Sequence, residues 1–209
     1  MNTGLQRDLV PHTVVLMLAA GRSRRFGDDK RQAALGSGKT LLEQSISQFT
    51  SLGFRVFVSL SAVSDDDLLA ESLIGESVEI LRCDRAGEGM GGTLAESVKK
   101  IGDDASVLIA LADMPGLASE TILLLQEKAQ TENIVFPVYE GRRGHPVIFG
   151  RQFIPRLKNL SGDEGANQLI REYASSCVSV PVTDAGVVRD VDTAADLVAV
   201  KRWLQARSS

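Results

Sequence analysis

Four cations stand within nine residues of one another at Arg22, Arg24, Arg25 and Lys30, in the segment LAAGRSRRFGDDK (18–30). Gly21 and Gly27 allow the tight backbone that turns consecutive N–H groups toward an anion, and Ser23 adds a small hydroxyl. Arginine matches phosphate oxygens in pairs, and lysine adds a mobile point charge. The chemistry suggested is phosphate binding, the bland alternative a solvated loop. A second group lies at Asp113, in Ala112-Asp113-Met114-Pro115 directly after the apolar run SVLIAL (106–111). A carboxylate on a rigid strand end suits Mg²⁺ beside phosphate oxygens; as a turn residue or helix cap it would do no chemistry. Asp192 offers a second carboxylate from the opposite side, although Asp190 and Asp192 each also read as the N-cap of the last helix. Glu88-Gly89-Met90-Gly91-Gly92-Thr93 approaches a helix with little side-chain bulk, which would admit a base, sugar or phosphate closely. Its alternative reading is a flexible turn with Thr93 as a simple cap. His145, between Gly144 and Pro146, reads either as a structural hydrogen-bonding group or as part of an acceptor site.

Two nucleotide-binding patterns fail. The first loop is not G-x-G-x-x-G, so a dinucleotide fingerprint is missing. Gly36-Ser37-Gly38-Lys39-Thr40 imitates the end of a P-loop, but Ala33 stands where the first glycine belongs and no apolar strand precedes it. It reads as a turn capping a helix over 39–50.

These groups need rigid elements behind them. The continuous apolar run at 14–18 predicts a strand covered on both faces, as in a parallel sheet. Further strands are expected at 55–60, 78–81, 106–111, 134–138 and 177–182. Helices are expected at 39–50, 65–73, 91–101, 166–173 and 194–205, with a short one at 154–157. Another runs to Ala129, capped by Ser119. The acidic run Asp65-Asp66-Asp67 suits the positive end of its helix. Residues 141–144 read as a turn, and with 146–149 the chain could form a hairpin at the sheet edge. The alternation of strand and helix predicts a single-domain α/β Rossmann-like three-layer sandwich, with a mostly parallel central sheet and an antiparallel edge extension. Residues 1–11 read as a flexible lead-in and 12–205 as the domain, with a nucleotide half near 12–115 and an acceptor half near 116–205. In such sheets ligands bind beyond the carboxyl ends of the strands. The first loop, Asp113 and the Asp190/Asp192 segment all meet that criterion.

A length of 209 residues fits one domain with its own core. The 44% hydrophobic and 24% charged composition is that of a folded chain. A net charge of −4 argues against sequence-independent duplex binding. Cys83 and Cys177 make no disulfide framework and read as ordinary buried thiols in a reducing compartment. Two histidines are few for a metal cluster. The short apolar segment before the first loop reads as a strand, not as a membrane span or secretory signal. Trp203 is expected to pack the final helix.

Taken in order, LAAGRSRRFGDDK, EGMGGTL, ADMP, GHPVIF, SGDEGA and DVDTAAD resemble the landmarks of the MobA-like nucleotidyltransferases, most of all the molybdenum cofactor cytidylyltransferases. The resemblance implies that Leu18, Ala19, Ala20, Gly21, Arg22, Ser23, Arg25 and Lys30 bind a nucleoside triphosphate, together with Gly89, Gly92 and Thr93. It implies catalytic roles for Arg25, Lys30 and Asp113, Mg²⁺ (or Mn²⁺) on Asp113 and Asp192, and an acceptor side at His145, Gly162 and Asp163. The implied reaction transfers a cytidylyl group from CTP to molybdenum-bound molybdopterin, releasing pyrophosphate. The implied setting is cytoplasmic, in a monomer or weak oligomer that passes its product to a molybdenum hydroxylase, with no nucleic acid or membrane partner. The alternatives are GTP as donor, a sugar phosphate or other small phosphate as acceptor, or a carrier without turnover. Two stretches depart from the family's habit: Arg82 to Gly87 lacks the usual Asn, Pro and Trp, and Arg31-Gln32-Ala33-Ala34-Leu35 replaces a Leu/Pro-rich segment.

Overall fold

The computed structural model describes residues 12–21, 26–36, 38–63, 66–73, 75, 77–163 and 165–208. Strand β1 (Thr13–Leu18) runs first, followed by helix α1 (Leu41–Thr50), β2 (Val56–Ser61), α2 (Asp67–Leu73) and β3 (Val78–Cys83). Next come α3 (Met90–Ile101), β4 (Ser106–Leu111), α4 (Ser119–Lys128) and the strands β5 (Ile134–Tyr139), β6 (Arg142–Arg143) and β7 (Val147–Phe149). The short helices α5 (Ile154–Leu157) and α6 (Asn167–Glu172) precede β8 (Cys177–Pro181) and the last helix, α7 (Ala194–Ser208).

The strands form a mixed, largely parallel sheet in the order β3-β2-β1-β4-β7-β5, with β6 and β8 also paired to β5. β1 sits between β2 and β4, parallel to both. Its period of two divides its side chains between two cores. Val15 and Met17 face one core, where α1 supplies Leu42, Ile46 and Phe49 and α4 supplies Ile122 and Leu125. Val14 and Leu16 face the other, with Leu94 and Val98 of α3 and Leu169 and Ile170 of α6. The three layers expected from the apolar run follow directly. Each fully buried leucine or isoleucine here contributes about 1.5–3 kcal/mol of transfer free energy.

The antiparallel hairpin sits deeper than its sequence suggested. Arg142 and Arg143 are strand, opposite Tyr139 and Val138, and only Glu140-Gly141 turns. β7 continues inward between β4 and β5, antiparallel to both, with all three residues buried. β8 then pairs parallel with β5. Ser119 is not the cap of α4: Ala118 occupies that position, and its N–H is held by Asp184 Oδ2 at 2.8 Å.

A third, smaller core decides where the functional loops go. Leu35, Leu41, Val191 and Val200 are buried together, with Phe26, Leu197 and Leu204 packed against them. This cluster ties the segment after the first loop to the chain just before α7. Trp203 of α7 packs as expected: a Cβ on Gly116 would stand 2.0 Å from its ring, and Arg189 and Arg207 lie 5.0 and 4.7 Å from its ring centre. Among the described residues no helix is long and apolar enough to cross a membrane.

Candidate active site

A cleft of about 680 Å³ opens at the carboxyl ends of β1 and β4. Its walls include Leu18, Ala19, Ala20, Gly21, Lys30, Gly89, Thr93, Asp113, Asp163 and Asp192. Arg22, Ser23 and Arg25, expected on the same loop, lie outside the described residues.

The floor is an ion triad. Lys30 Nζ donates to Asp113 Oδ2 at 2.7 Å, to the Val191 carbonyl at 2.8 Å and to Asp192 Oδ1 at 3.2 Å. Asp192 arrives there because the Val191 N–H donates to the Asp113 carbonyl at 3.0 Å, while the Val191 side chain is buried in the third core. Neither Asp190 nor Asp192 caps α7. That role belongs to Thr193, whose Oγ1 accepts from the Asp196 N–H at 3.2 Å, and to Asp196 Oδ2, which accepts from the Thr193 N–H at 2.8 Å. With the capping alternative removed, the Asp192 carboxylate is committed to the cleft.

Burial by itself disfavours the Lys30 ammonium, but the Asp113 and Asp192 carboxylates outweigh it and hold its pKa above the usual value. Burial pushes the Asp113 carboxyl up, against the pull of Lys30. Asp113 Oδ1 is buried without a hydrogen-bond partner, an acceptor still open for a cation. No group of three or more His, Cys, Asp or Glu forms a metal cage among the described residues. Two carboxylates with an open oxygen nevertheless fit a hard ion that takes its remaining ligands from phosphate and water, as Mg²⁺ commonly does.

Arg31 was read only as a departure from a pattern, yet all its donors are used. Nε and Nη2 reach Asp29 at 2.8 and 2.8 Å, Nη1 and Nη2 reach Asp66 at 2.9 and 2.6 Å, and Nη1 reaches the Ala19 carbonyl at 3.0 Å. It fastens the end of β1, the turn before Lys30 and the approach to α2 into one unit. Asp66, read as a helix-end charge, is the buried partner. Asp65, beside it in that acidic run, lies outside the described residues. Nothing local in the sequence pairs residue 31 with residue 66.

The glycine segment divides. Gly89 caps α3 at φ 95° and lines the cleft. A Cβ there would stand 2.2 Å from Asp163 Oδ1 and 2.9 Å from the Gly162 carbonyl oxygen. Gly92 faces away: its Cβ would meet the Arg85 carbonyl at 2.7 Å, so its smallness serves packing between the Asp84–Glu88 turn and α3. Thr93 lies inside α3, not at its cap, and is buried. Gly162 is placed behind Gly91, whose N–H donates to the Gly162 carbonyl at 2.8 Å, whereas Asp163 reaches the cleft. His145 lies beside the cleft, in a smaller cavity of about 90 Å³ that shares Leu18, Met90 and Leu111 with it. Lys39 lies apart, on an open groove with Gln44 and Ser47, and Thr40 caps α1 in a reciprocal box with Glu43. The P-loop imitation is a helix cap. Cys83 is buried and Cys177 is partly buried, and neither lines the cleft.

The family described as the MobA-like NTP transferase domain matches residues 15–177. The purine catabolism protein PucB of Bacillus subtilis (strain 168) is 28% identical over 212 residues, spanning 92% of this chain and 97% of that protein. Among solved structures, a nucleotidyl transferase from Methanothermobacter superposes with a TM-score of 0.79 at 18% identity, covering 95% of this chain and 99% of its own. Rv0371c from Mycobacterium tuberculosis H37Rv, solved in complex with manganese, superposes at 0.72 with 21% identity, covering 91% and 98%. The chain belongs to the MobA-like NTP transferase family, whose chemistry is nucleotidyl transfer.

Proposed function

We propose that this protein transfers a nucleotidyl group from a nucleoside triphosphate to a small acceptor bearing a phosphate. The observation that carries the reading is the Lys30 ammonium held between Asp113 and Asp192 in a large cleft at the carboxyl ends of β1 and β4. An oxygen of the acceptor phosphate attacks the α-phosphorus, the bond to the bridging oxygen breaks, and pyrophosphate leaves. A phosphate monoester is already a nucleophile, so the protein's task is positioning and charge compensation. Lys30 is placed to meet the negative charge of the triphosphate. Backbone at Ala20 and Gly21 lines the cleft where phosphate oxygens would lie, and the small Gly89 leaves room for the nucleoside. Asp113 and Asp192 would hold a divalent ion such as Mg²⁺ or Mn²⁺, which supplies charge neutralisation on phosphate oxygens when bound. Asp163, also on the cleft wall beside Gly89, belongs to the acceptor side in this reading.

CTP with molybdenum-bound molybdopterin is the pair that the motif resemblance favours. GTP, or a sugar phosphate or another small phosphate as acceptor, satisfies the same floor of charges. The test is pyrophosphate release with CTP, GTP, ATP and UTP in parallel, with Mg²⁺, each with and without molybdenum-loaded molybdopterin and a set of sugar phosphates. Acceptor-dependent release is the expected result, and the responding nucleotide identifies the donor. Release that needs no acceptor, or none with any pair from folded protein, overturns the reading.

A further inference from the structure

The loop that carries Asp113 is buried, which is unusual for the connection between a strand and a helix. Ala112, Met114, Pro115, Gly116 and Leu117 all lie below the surface, and β4 has ended at Leu111. Each buried peptide group there needs a partner from elsewhere in the chain. Two side chains of α1 supply them. Ser45 Oγ stands 3.0 Å from the Ala112 carbonyl and 2.9 Å from the Leu41 carbonyl, and shares its proton between them. Gln48 Nε2 donates to the Met114 carbonyl at 3.0 Å, while Gln48 Oε1 accepts from the Leu117 N–H. The Asp113 carbonyl, between these two holds, accepts from the Val191 N–H at 3.0 Å. The backbone is therefore gripped immediately before and immediately after Asp113 by one helix.

Ser45 and Gln48 stand three positions apart on α1, Ser45 fully buried and Gln48 9% exposed. Their neighbours on that helix, Leu42, Ile46 and Phe49, are apolar and fill the core. Burying a hydroxyl and a carboxamide among them is costly unless each is hydrogen-bonded, and apolar side chains would fill the same space. What the polar pair adds is direction. A carboxamide that donates to one carbonyl and accepts from an N–H three residues on fixes both the turn and its distance from the helix. The same helix fixes the Lys30 segment. The Leu41 N–H donates to the Ala33 carbonyl at 2.9 Å, and the Ala33 N–H donates to the Lys30 carbonyl at 3.1 Å. One helix thus references both sides of the 2.7 Å contact between Lys30 Nζ and Asp113 Oδ2.

We propose that Gln48 and Ser45 are positioning residues for nucleotidyl transfer, holding the backbone around Asp113 so that its carboxylate stays turned toward Lys30 and a divalent ion. Neither lines the cleft, so they act through the loop. The role rests on the transfer reading above for the reaction it serves. Groups that orient a metal-binding residue without touching the metal commonly matter about tenfold to a hundredfold.

The variants are Gln48→Leu and Ser45→Ala, with Leu73→Ala, which trims the same core from α2, as the control for stability. Mn²⁺ alone is titrated into each ¹⁵N-labelled full chain, and its paramagnetic broadening of amide resonances is followed by NMR. In the wild type the amides around Asp113 and Asp192 should broaden first, and Gln48→Leu should need about tenfold more Mn²⁺. In pyrophosphate release Gln48→Leu should lower kcat about tenfold or more with the acceptor KM unchanged. Ser45→Ala should show the same pattern at about threefold, and it keeps a good helix former in place, so the test survives a Gln48 variant that fails to fold. Leu73→Ala should lower the urea midpoint and leave the Mn²⁺ titration and kcat at wild-type values. A Mn²⁺ titration and kcat that match wild type in both variants, or losses that Leu73→Ala reproduces, overturn the proposal. Wild-type protein in which Mn²⁺ broadens no amide near Asp113 overturns it as well. A shifted Mn²⁺ titration without turnover of any donor and acceptor pair by the wild type supports the hold on Asp113 and overturns the transfer reading instead.

Discussion

Arg31→Met should destabilise the protein far more than an ordinary surface change. The Arg31 side chain is 12% exposed and that of Asp66 only 6%, so removing the guanidinium takes bonds of 2.9 and 2.6 Å from a buried carboxylate. Breaking one side of such a pair costs about 3–5 kcal/mol. Asp29, 26% exposed, regains water and adds less than about 1 kcal/mol. At roughly 2–4 °C per kcal/mol for a chain of this size, Tm should fall by about 10 °C. The design includes Asp66→Leu and the double variant, each followed by thermal and urea unfolding. Since the penalty lies in a buried charge that has lost its guanidinium, Arg31→Met with Asp66→Leu should recover much of the loss, a coupling of about 2 kcal/mol. A Tm within about 2 °C of wild type for Arg31→Met, or simple additivity of the two changes, refutes the buried clamp.

Asp113→Asn should lower kcat for Mg²⁺-dependent turnover by about a hundredfold or more with the unfolding transition intact, and near-normal kcat at saturating Mg²⁺ would sink the metal assignment. Lys30→Met should impair triphosphate turnover while Lys39→Met leaves it unchanged; the reverse ranking in steady-state assays would restore the P-loop. Gly89→Ala should cost about 1–3 kcal/mol, because the backbone there is at φ 95° and the Cβ has no room, and urea midpoints measure it. The lowered His145 pKa predicts a stability contribution fully present above about pH 6.5. It is lost as pH falls from there toward 4, and amounts to about 3 kcal/mol in all. His145→Phe should flatten the stability profile in that window, and an unchanged slope between pH 4 and 6.5 counts against the buried neutral ring.

Much of this molecule was legible in linear order because its signals are local. A run such as Val14-Val15-Leu16-Met17-Leu18 can be buried on both faces only in the middle of a covered sheet, and it pairs with β2 and β4 there. Lys30 and Asp113 were marked by charge placed at strand ends, and Asp192 by its segment before the last helix. What the sequence left open was settled by long-range contact. Asp192 had two local meanings, and the choice fell to Thr193 and Asp196 taking the cap and Val191 bonding Asp113. The inward position of β7 depends on pairing with β4 and β5, whose partner residues lie about forty and about fourteen positions away in the chain and exert no local pull on its propensity. Arg31 and Asp66 carry no periodic or motif signal, because an ion pair across 35 positions exists only once β1, its loop and the approach to α2 converge. Residue types set which chemistry was available; the convergence of buried segments decided which charges meet.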